Sequence, residues 1–193
     1  MINLEELERL EKSEILRTIV FPLIVPTEEE ILDKKLDLSF SPLNACYSKP
    51  AINEKNGKQQ SWWEVRLTIE GENNLPARKD WFYLVTCCGR MYKACFSGRG
   101  KQVKWLNTFE DADAIGDWIK TILVEWELIE GFWTPNEDED GTGIITKEVL
   151  ERYGGDQIYL KKTIQTKKDE NGIERDVWLI IFPCGFELEH GYY

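Results

Sequence analysis

The spacing of apolar and polar residues changes period several times along this chain, and each change marks an element. Leu4, Leu7 and Leu10 recur at helical spacing behind Asn3, a capping residue, with Glu5 and Glu6 in the first turn where the helix dipole favours acids. Thr27 followed by Glu28, Glu29 and Glu30 is a capping box and predicts a second short helix, with Pro26 closing the apolar stretch before it. From Trp62 to Glu70 the period is two: Trp63, Val65, Leu67 and Ile69 share one face, and Glu64, Arg66, Thr68 and Glu70 the other. WFYLVT (81–86) and RMYKACF (90–96) flank Cys87-Cys88-Gly89 and predict a hairpin; SGRGK (97–101) is a second turn leading to a short strand around Val103 and Trp105. Ile115, Trp118, Ile119, Ile122, Trp126 and Ile129 return to steps of three and four, predicting an amphipathic helix over 109–130 capped by Thr108, with Glu110, Asp111 and Asp113 in its first turn. Thr146 and Gly154 bracket a further short helix. Finally Ile158, Leu160, Lys162 and Ile164 alternate up one strand, Asn171-Gly172 supplies a turn, and Val177, Leu179 and Ile181 alternate down the next.

Short strands mostly in hairpins, with helices between them, indicate an α+β domain with a barrel-like antiparallel sheet. Residues 41–60 follow neither period; they are polar, basic and turn-rich and read as a long loop or arm. Residues 1–40 read as a helical N-terminal extension and 41–193 as the domain proper. The chain has 193 residues, of which 42% are apolar and 12% aromatic, enough for one core. The longest apolar run, Ile19 to Val25, is broken by Pro22 and falls short of the roughly 20 residues of a membrane span. The opening MINLEELERLEK is too acidic for a signal peptide. Five cysteines without a repeated spacing make no disulfide framework, so a reducing cytoplasm is expected.

The formal net charge is −11, which argues against a nucleic-acid binder until it is divided along the chain. Residues 41–109 carry 11 basic and 5 acidic side chains, whereas 110–140 carry 1 and 11. The termini are acidic as well. Fields fade within about 10 Å at moderate salt, so this local pattern outranks the total.

A search for catalytic chemistry returns little. The single histidine, His190, rules out any mechanism or zinc site that needs two. Cys87, Cys88 and Cys95 lack the Cys-x-x-Cys spacing of a zinc site. Ser97-Gly98-Arg99-Gly100-Lys101 superficially resembles a phosphate loop, but lacks its spacing and leads into a strand instead of a helix. Asp33-Lys34-Lys35 holds the Asp-x-Lys half of a metal-dependent nuclease site, although Asp33 lies at the end of a surface helix. Glu137 to Asp140 lacks the ordering of a calcium loop and reads as a solvated loop. No cofactor and no metal are expected.

The basic tract is different. From Trp81 to Phe109 there are five cations, Arg90, Lys93, Arg99, Lys101 and Lys104, and no acid, with Tyr92, Phe96 and Trp105 interleaved and Ser97 and Gln102 beside them. The preceding loop adds Lys49, Lys55 and Lys58 with Asn44, Ser48, Asn53, Asn56, Gln59 and Gln60. Arg and Lys neutralise phosphates, and Asn and Gln offer the paired donor and acceptor that read adenine in the major groove. Such a run is also what an ordinary solvated face looks like.

These residues carry a resemblance. FYLVTCCGRMYKA (opening at Phe82), SGRGKQV, AIGDWIK and IITKEVLERYGGDQIYL give residues 83–164 a resemblance to the DNA-recognition domain of type II restriction endonucleases of the BfiI, NgoFVII and EcoRII kind, the bacterial relative of the plant B-three DNA-binding pseudobarrel. PLNACYSKP and SWWEVRLTI resemble its opening arm and strand more loosely. The resemblance implies an antiparallel double-split β-barrel with flanking helices and no catalytic residue of its own. It implies two arms, at 43–61 and 96–105, gripping duplex DNA, and a nuclease domain elsewhere in a longer chain. The family's Asn-Trp-Gly wording in the first arm stands here only as Asn44-Ala45-Cys46. The expected partner is therefore double-stranded DNA, with no membrane. Two rivals remain: an acidic inhibitor whose segment 110–140 mimics DNA, and a small nuclease built on Asp33, Glu64 and neighbouring acids.

Overall fold

Period-two patterning becomes a single seven-stranded sheet in the computed structural model, which describes residues 1–32, 44, 65–71, 74–98, 103–129 and 144–183. The chain divides into two units, the first made of 1–22, 67–112 and 157–182 and the second of 23–66, 113–156 and 183–193. The fold is α+β.

The first unit holds helix α1 (Leu4–Glu11) and all seven strands: β1 (Ile15–Pro22), β2 (Thr68–Glu70), β3 (Phe82–Thr86), β4 (Met91–Ser97), β5 (Val103–Thr108), β6 (Gln157–Lys168) and β7 (Glu174–Ile181). The sheet curls into a half-barrel in the order β1-β6-β7-β3-β4-β5-β2. It is mixed. The expected antiparallel sheet fails at one seam, where β3 lies parallel to β7 with Leu84 opposite Trp178. These two strands are far apart in sequence, and reading hairpins detects only neighbours along the chain.

Strands β3 and β7 are central, and both of their faces are covered. All of β3 is buried, which is why WFYLVT reads as an unbroken apolar run and does not alternate. One face packs on Ile2, Leu7 and Leu10 of the N-terminal segment through Tyr83, Val85, Val177 and Leu179. On the other, Phe82, Phe96 and Trp178 cluster, with the Phe82 and Trp178 rings 4.9 Å apart. Asn3 caps α1 by accepting the Glu6 N–H, as its position predicts.

Two details depart from the pattern. Residues 15–22, read above as part of a helical extension, form a strand along β6; Ile19 and Phe21 point inward while Leu16 and Val20 are exposed. In β6 the pairing slips between Lys162 and Thr166, a bulge that moves the buried position onto Thr163 and leaves Ile164 half exposed, contrary to the expected alternation. The Thr163 hydroxyl donates to the Val177 carbonyl at 2.8 Å, so the polar side chain is satisfied where it is buried.

In the second unit, α2 (Glu28–Leu32) carries the capping box in full: the Glu30 N–H donates to Thr27 Oγ1 and the Thr27 N–H to Glu30 Oε2. Helix α3 (Ala114–Glu125) is shorter than the predicted 109–130. Thr108 belongs to β5, and its hydroxyl donates to the Asp111 carbonyl in the link, so Asp113 is the first flanking residue. At the far end Glu127 turns left-handed with φ 55°, which stops the helix before Ile129. Helix α4 (Lys147–Tyr153) follows the sequence closely. Thr146 Oγ1 accepts the Val149 N–H, and Gly154 ends the helix at φ 80°. Thr146→Ala should cost about 1 kcal/mol in chemical unfolding. No helix among the described residues is long and apolar enough to cross a membrane.

Candidate nucleic-acid interface

Strands β4 and β5 pair antiparallel, and the connection between them, 98–102, lies within the predicted second arm, 96–105. Ser97 and Trp105 are directly paired across it, and Trp105 also faces Thr68 of β2. Side chains of paired residues project to the same side, so Ser97, Trp105, Asn107 and Thr68 share one face of the sheet. Asn107 Nδ2 lies 3.4 Å from Ser97 Oγ. Trp105 is 38% exposed and Val103 39%, an aromatic and an aliphatic surface standing beside the turn. Lys104 lies on the opposite side of β5 by the same alternation.

Gly98 fixes how the turn leaves β4. Its φ is 147°, and a Cβ there would stand 2.5 Å from the Val103 carbonyl oxygen. Gly98→Ala should cost about 1–3 kcal/mol in chemical unfolding and displace the turn.

The structure does not gather all five cations of the tract. Arg90 follows the β3–β4 turn and Ser97 ends β4, so the length of a seven-residue strand, about 20 Å, separates them. Lys93 projects from the middle of β4 onto Glu170 in the β6–β7 turn, Nζ to Oε1 2.8 Å, and lies 5.1 Å from the centre of the Trp81 ring. That hydrogen bond holds the Lys93 ammonium above its usual range, against a smaller opposing effect of burial, and holds the Glu170 carboxyl below its own. Lys93 is thus engaged with an acid 77 residues away. Lys93→Ala should change duplex affinity by no more than about twofold, since an exposed pair contributes little and its charge is already compensated; a titration at fixed salt checks it.

Trp81 is the centre of a wider assembly. The Arg175 guanidinium lies 4.7 Å from its ring and Tyr83 packs edge-on at 5.0 Å, while Arg78 lies over Phe109. Arg175 Nε donates to Asp169 Oδ2 at 3.0 Å, and its NH1 to the Lys79 carbonyl. Asp169 also accepts the N–H groups of Asn171 and Ile173, closing the turn that the Asn-Gly pair predicts. Burial alone would raise its carboxyl; the hydrogen bonds from Ile173, Arg175 and Asn171 outweigh it and hold the group below the usual range.

Of the first arm only Asn44 is described. It is buried, its Oδ1 accepts the Ile24 N–H at 2.7 Å, and its backbone accepts from Arg66 and donates to Ile24. Its acceptor therefore ties two segments of the second unit together. Ser48, Lys49, Asn53, Lys55, Asn56, Lys58, Gln59 and Gln60, and in the second arm Arg99, Lys101 and Gln102, lie outside the described residues. So do Asp33, Glu64, Glu137 to Asp140 and His190.

Among the described residues no three His, Cys, Asp or Glu side chains converge as metal ligands would. The second unit contains a cleft of about 610 Å³ between the extended segment at Leu23 to Thr27 and α4, edged by Glu30, Glu151 and Asp156. None of the predicted contact residues lines it. No family model matches this sequence, and no curated protein matches it.

What sequence reasoning missed here is the acids. Glu170 meets Lys93, and Glu70 lies across from Val103 on the same face as Trp105, although both are remote from the tract in sequence. No local signal announces either pairing.

Proposed function

We propose that this chain is a sequence-specific double-stranded DNA-binding module of the kind found as the recognition domain of type II restriction endonucleases. It would enter the major groove with two arms, 43–61 and 96–105, inside a pseudobarrel of the double-split type. The nuclease would be carried on a further domain of a longer cytoplasmic chain, and this module would use no cofactor. The observation that supports it best is the β4–β5 connection. The sequence concentrates Arg99 and Lys101 there, between Ser97 and exposed Trp105, just after Gly98 closes on the Val103 carbonyl. On this reading the cations of that connection supply phosphate contacts; Ser97, Gln102 and the polar residues of the first arm, notably Gln59 and Gln60, supply base-edge contacts. Asn44, Arg90 and Lys93 contribute less on this reading, the first and last because of the bonds described above.

Titrating duplex DNA at several salt concentrations tests the reading. Binding should weaken as salt rises, with a slope of about −0.9 per phosphate contact. Glu70→Gln should strengthen binding by about twofold at low salt, by removing a like charge beside the arm. Neutralising Asp113, Asp117, Glu125 and Glu127 should leave duplex binding intact or slightly stronger. No measurable duplex binding by the native chain at 50 mM salt, a condition where six to ten phosphate contacts gain roughly 10³–10⁵ in affinity over 200 mM, would defeat the proposal.

A further inference from the structure

We infer that Cys87 and Cys88 form a two-thiol capture site for a soft, thiophilic centre, of the class of trivalent arsenicals and monovalent soft metal ions. The two residues are adjacent, both are exposed and neither is in a disulfide. They occupy the middle of the β3–β4 turn, which is closed by the Gly89 N–H donating to the Thr86 carbonyl at 2.9 Å and the Thr86 N–H to the Arg90 carbonyl at 3.0 Å. The backbone that presents the thiols is therefore fixed at both ends, and Cys88 Sγ is held 3.1 Å from Thr86 Oγ1.

Adjacency decides what such a pair binds. Consecutive Cα atoms stand about 3.8 Å apart, below the roughly 4.4–6.8 Å of ordinary disulfides, so a direct S–S bond here is strained and readily reduced. A bridging atom between the sulfurs lengthens the link and relieves that strain, and thiolates favour soft centres. Cys95 makes the contrast: it is buried, and burial pushes its thiol up, which keeps it protonated and out of reach. The turn also has a structural client. The Gly89 carbonyl accepts the Ile2 N–H at 2.9 Å, so the loop carrying the thiols anchors the start of α1.

With phenylarsine oxide the step balances without redox change. Each thiol gives up its proton, arsenic gains two As–S bonds, and the arsenic-bound oxygen leaves as water with the two protons. The test is intact-mass spectrometry of the full chain treated with phenylarsine oxide. We expect one adduct that survives excess monothiol and is removed by a dithiol, the signature of two-point capture. Cys87→Ser and Cys88→Ser should each lose the resistant adduct while keeping the native unfolding midpoint, and Cys46→Ser/Cys184→Ser should retain it. Competition for Cu(I) against a colorimetric chelator extends the test: affinity lost in the same two variants assigns the metal ion as well, and unchanged affinity restricts the site to arsenicals. A wild-type chain without a resistant adduct, or an adduct that persists in either serine variant, would overturn the assignment.

Discussion

Asp169→Ala should lower the midpoint of thermal unfolding by roughly 5–10 °C, the largest stability effect expected of any polar substitution in the first unit. The side chain is 1% exposed, and it accepts hydrogen bonds from Asn171, Ile173 and Arg175. Truncation leaves two turn N–H groups and a mostly buried guanidinium without their acceptor, and unfilled hydrogen bonds of this kind cost more than the bonds themselves contribute. Asp169→Asn should cost less, because one amide oxygen can still accept while the charge on Arg175 goes unmatched. The pH dependence has a definite sign. The folded-state carboxyl is held below its ordinary 3.8, so its stabilising contribution is complete above that value and drains away as pH falls through the depressed one. Wild-type stability should therefore fall in acid more steeply than that of Asp169→Asn. Thermal melts of both chains between neutral pH and the acid limb measure this.

Arg99→Ala/Lys101→Ala should weaken duplex binding by roughly ten- to a hundredfold at 50 mM salt and flatten the plot of log affinity against log salt by about 1.8, two phosphate contacts' worth. The effect on stability should be small, because both residues lie in sequence between β4 and β5, outside either strand, and the close approach at the end of β4 is made by Gly98. That combination separates loss of contact from loss of fold. Gly98→Ala should show the reverse balance, with a measurable stability loss accompanying the weaker binding. Unchanged affinity in the double variant would remove the second arm from the account.

The features legible in the sequence were those decided within a few residues. Asn3, the Thr27–Glu30 box, Thr146 with Gly154, and Asn171-Gly172 all do in the structure what their local chemistry dictates. The hairpin around Cys87-Cys88-Gly89 was equally readable, because its two strands are neighbours along the chain. Strand β1 was obscured because apolar Leu16 and Val20 fill outward positions, hiding the alternation of buried Ile19 and Phe21. The β6 bulge was hidden because Thr163 enters the core only by bonding to Val177 across the ladder. The parallel β3–β7 seam depends on long-range closure that no single segment encodes.

The candidate site follows the same rule. Counting charge along the chain singles out the segment between β4 and β5 as rich in cations. It counts Lys93 at full weight, although Lys93 finds Glu170 once the sheet is assembled. Local composition thus shows where cations are concentrated along the chain, and tertiary structure shows that one of them, Lys93, is engaged with an acid.

The most direct test of the central claim is a binding selection on random duplex DNA with the intact chain at one fixed salt concentration. The account predicts that the recovered pool converges on a short common sequence, and that Gln59→Ala/Gln60→Ala loses about 1–3 kcal/mol on that sequence while binding random duplex almost as before. A pool that stays random after repeated rounds, with every member bound equally well or not at all, would contradict it.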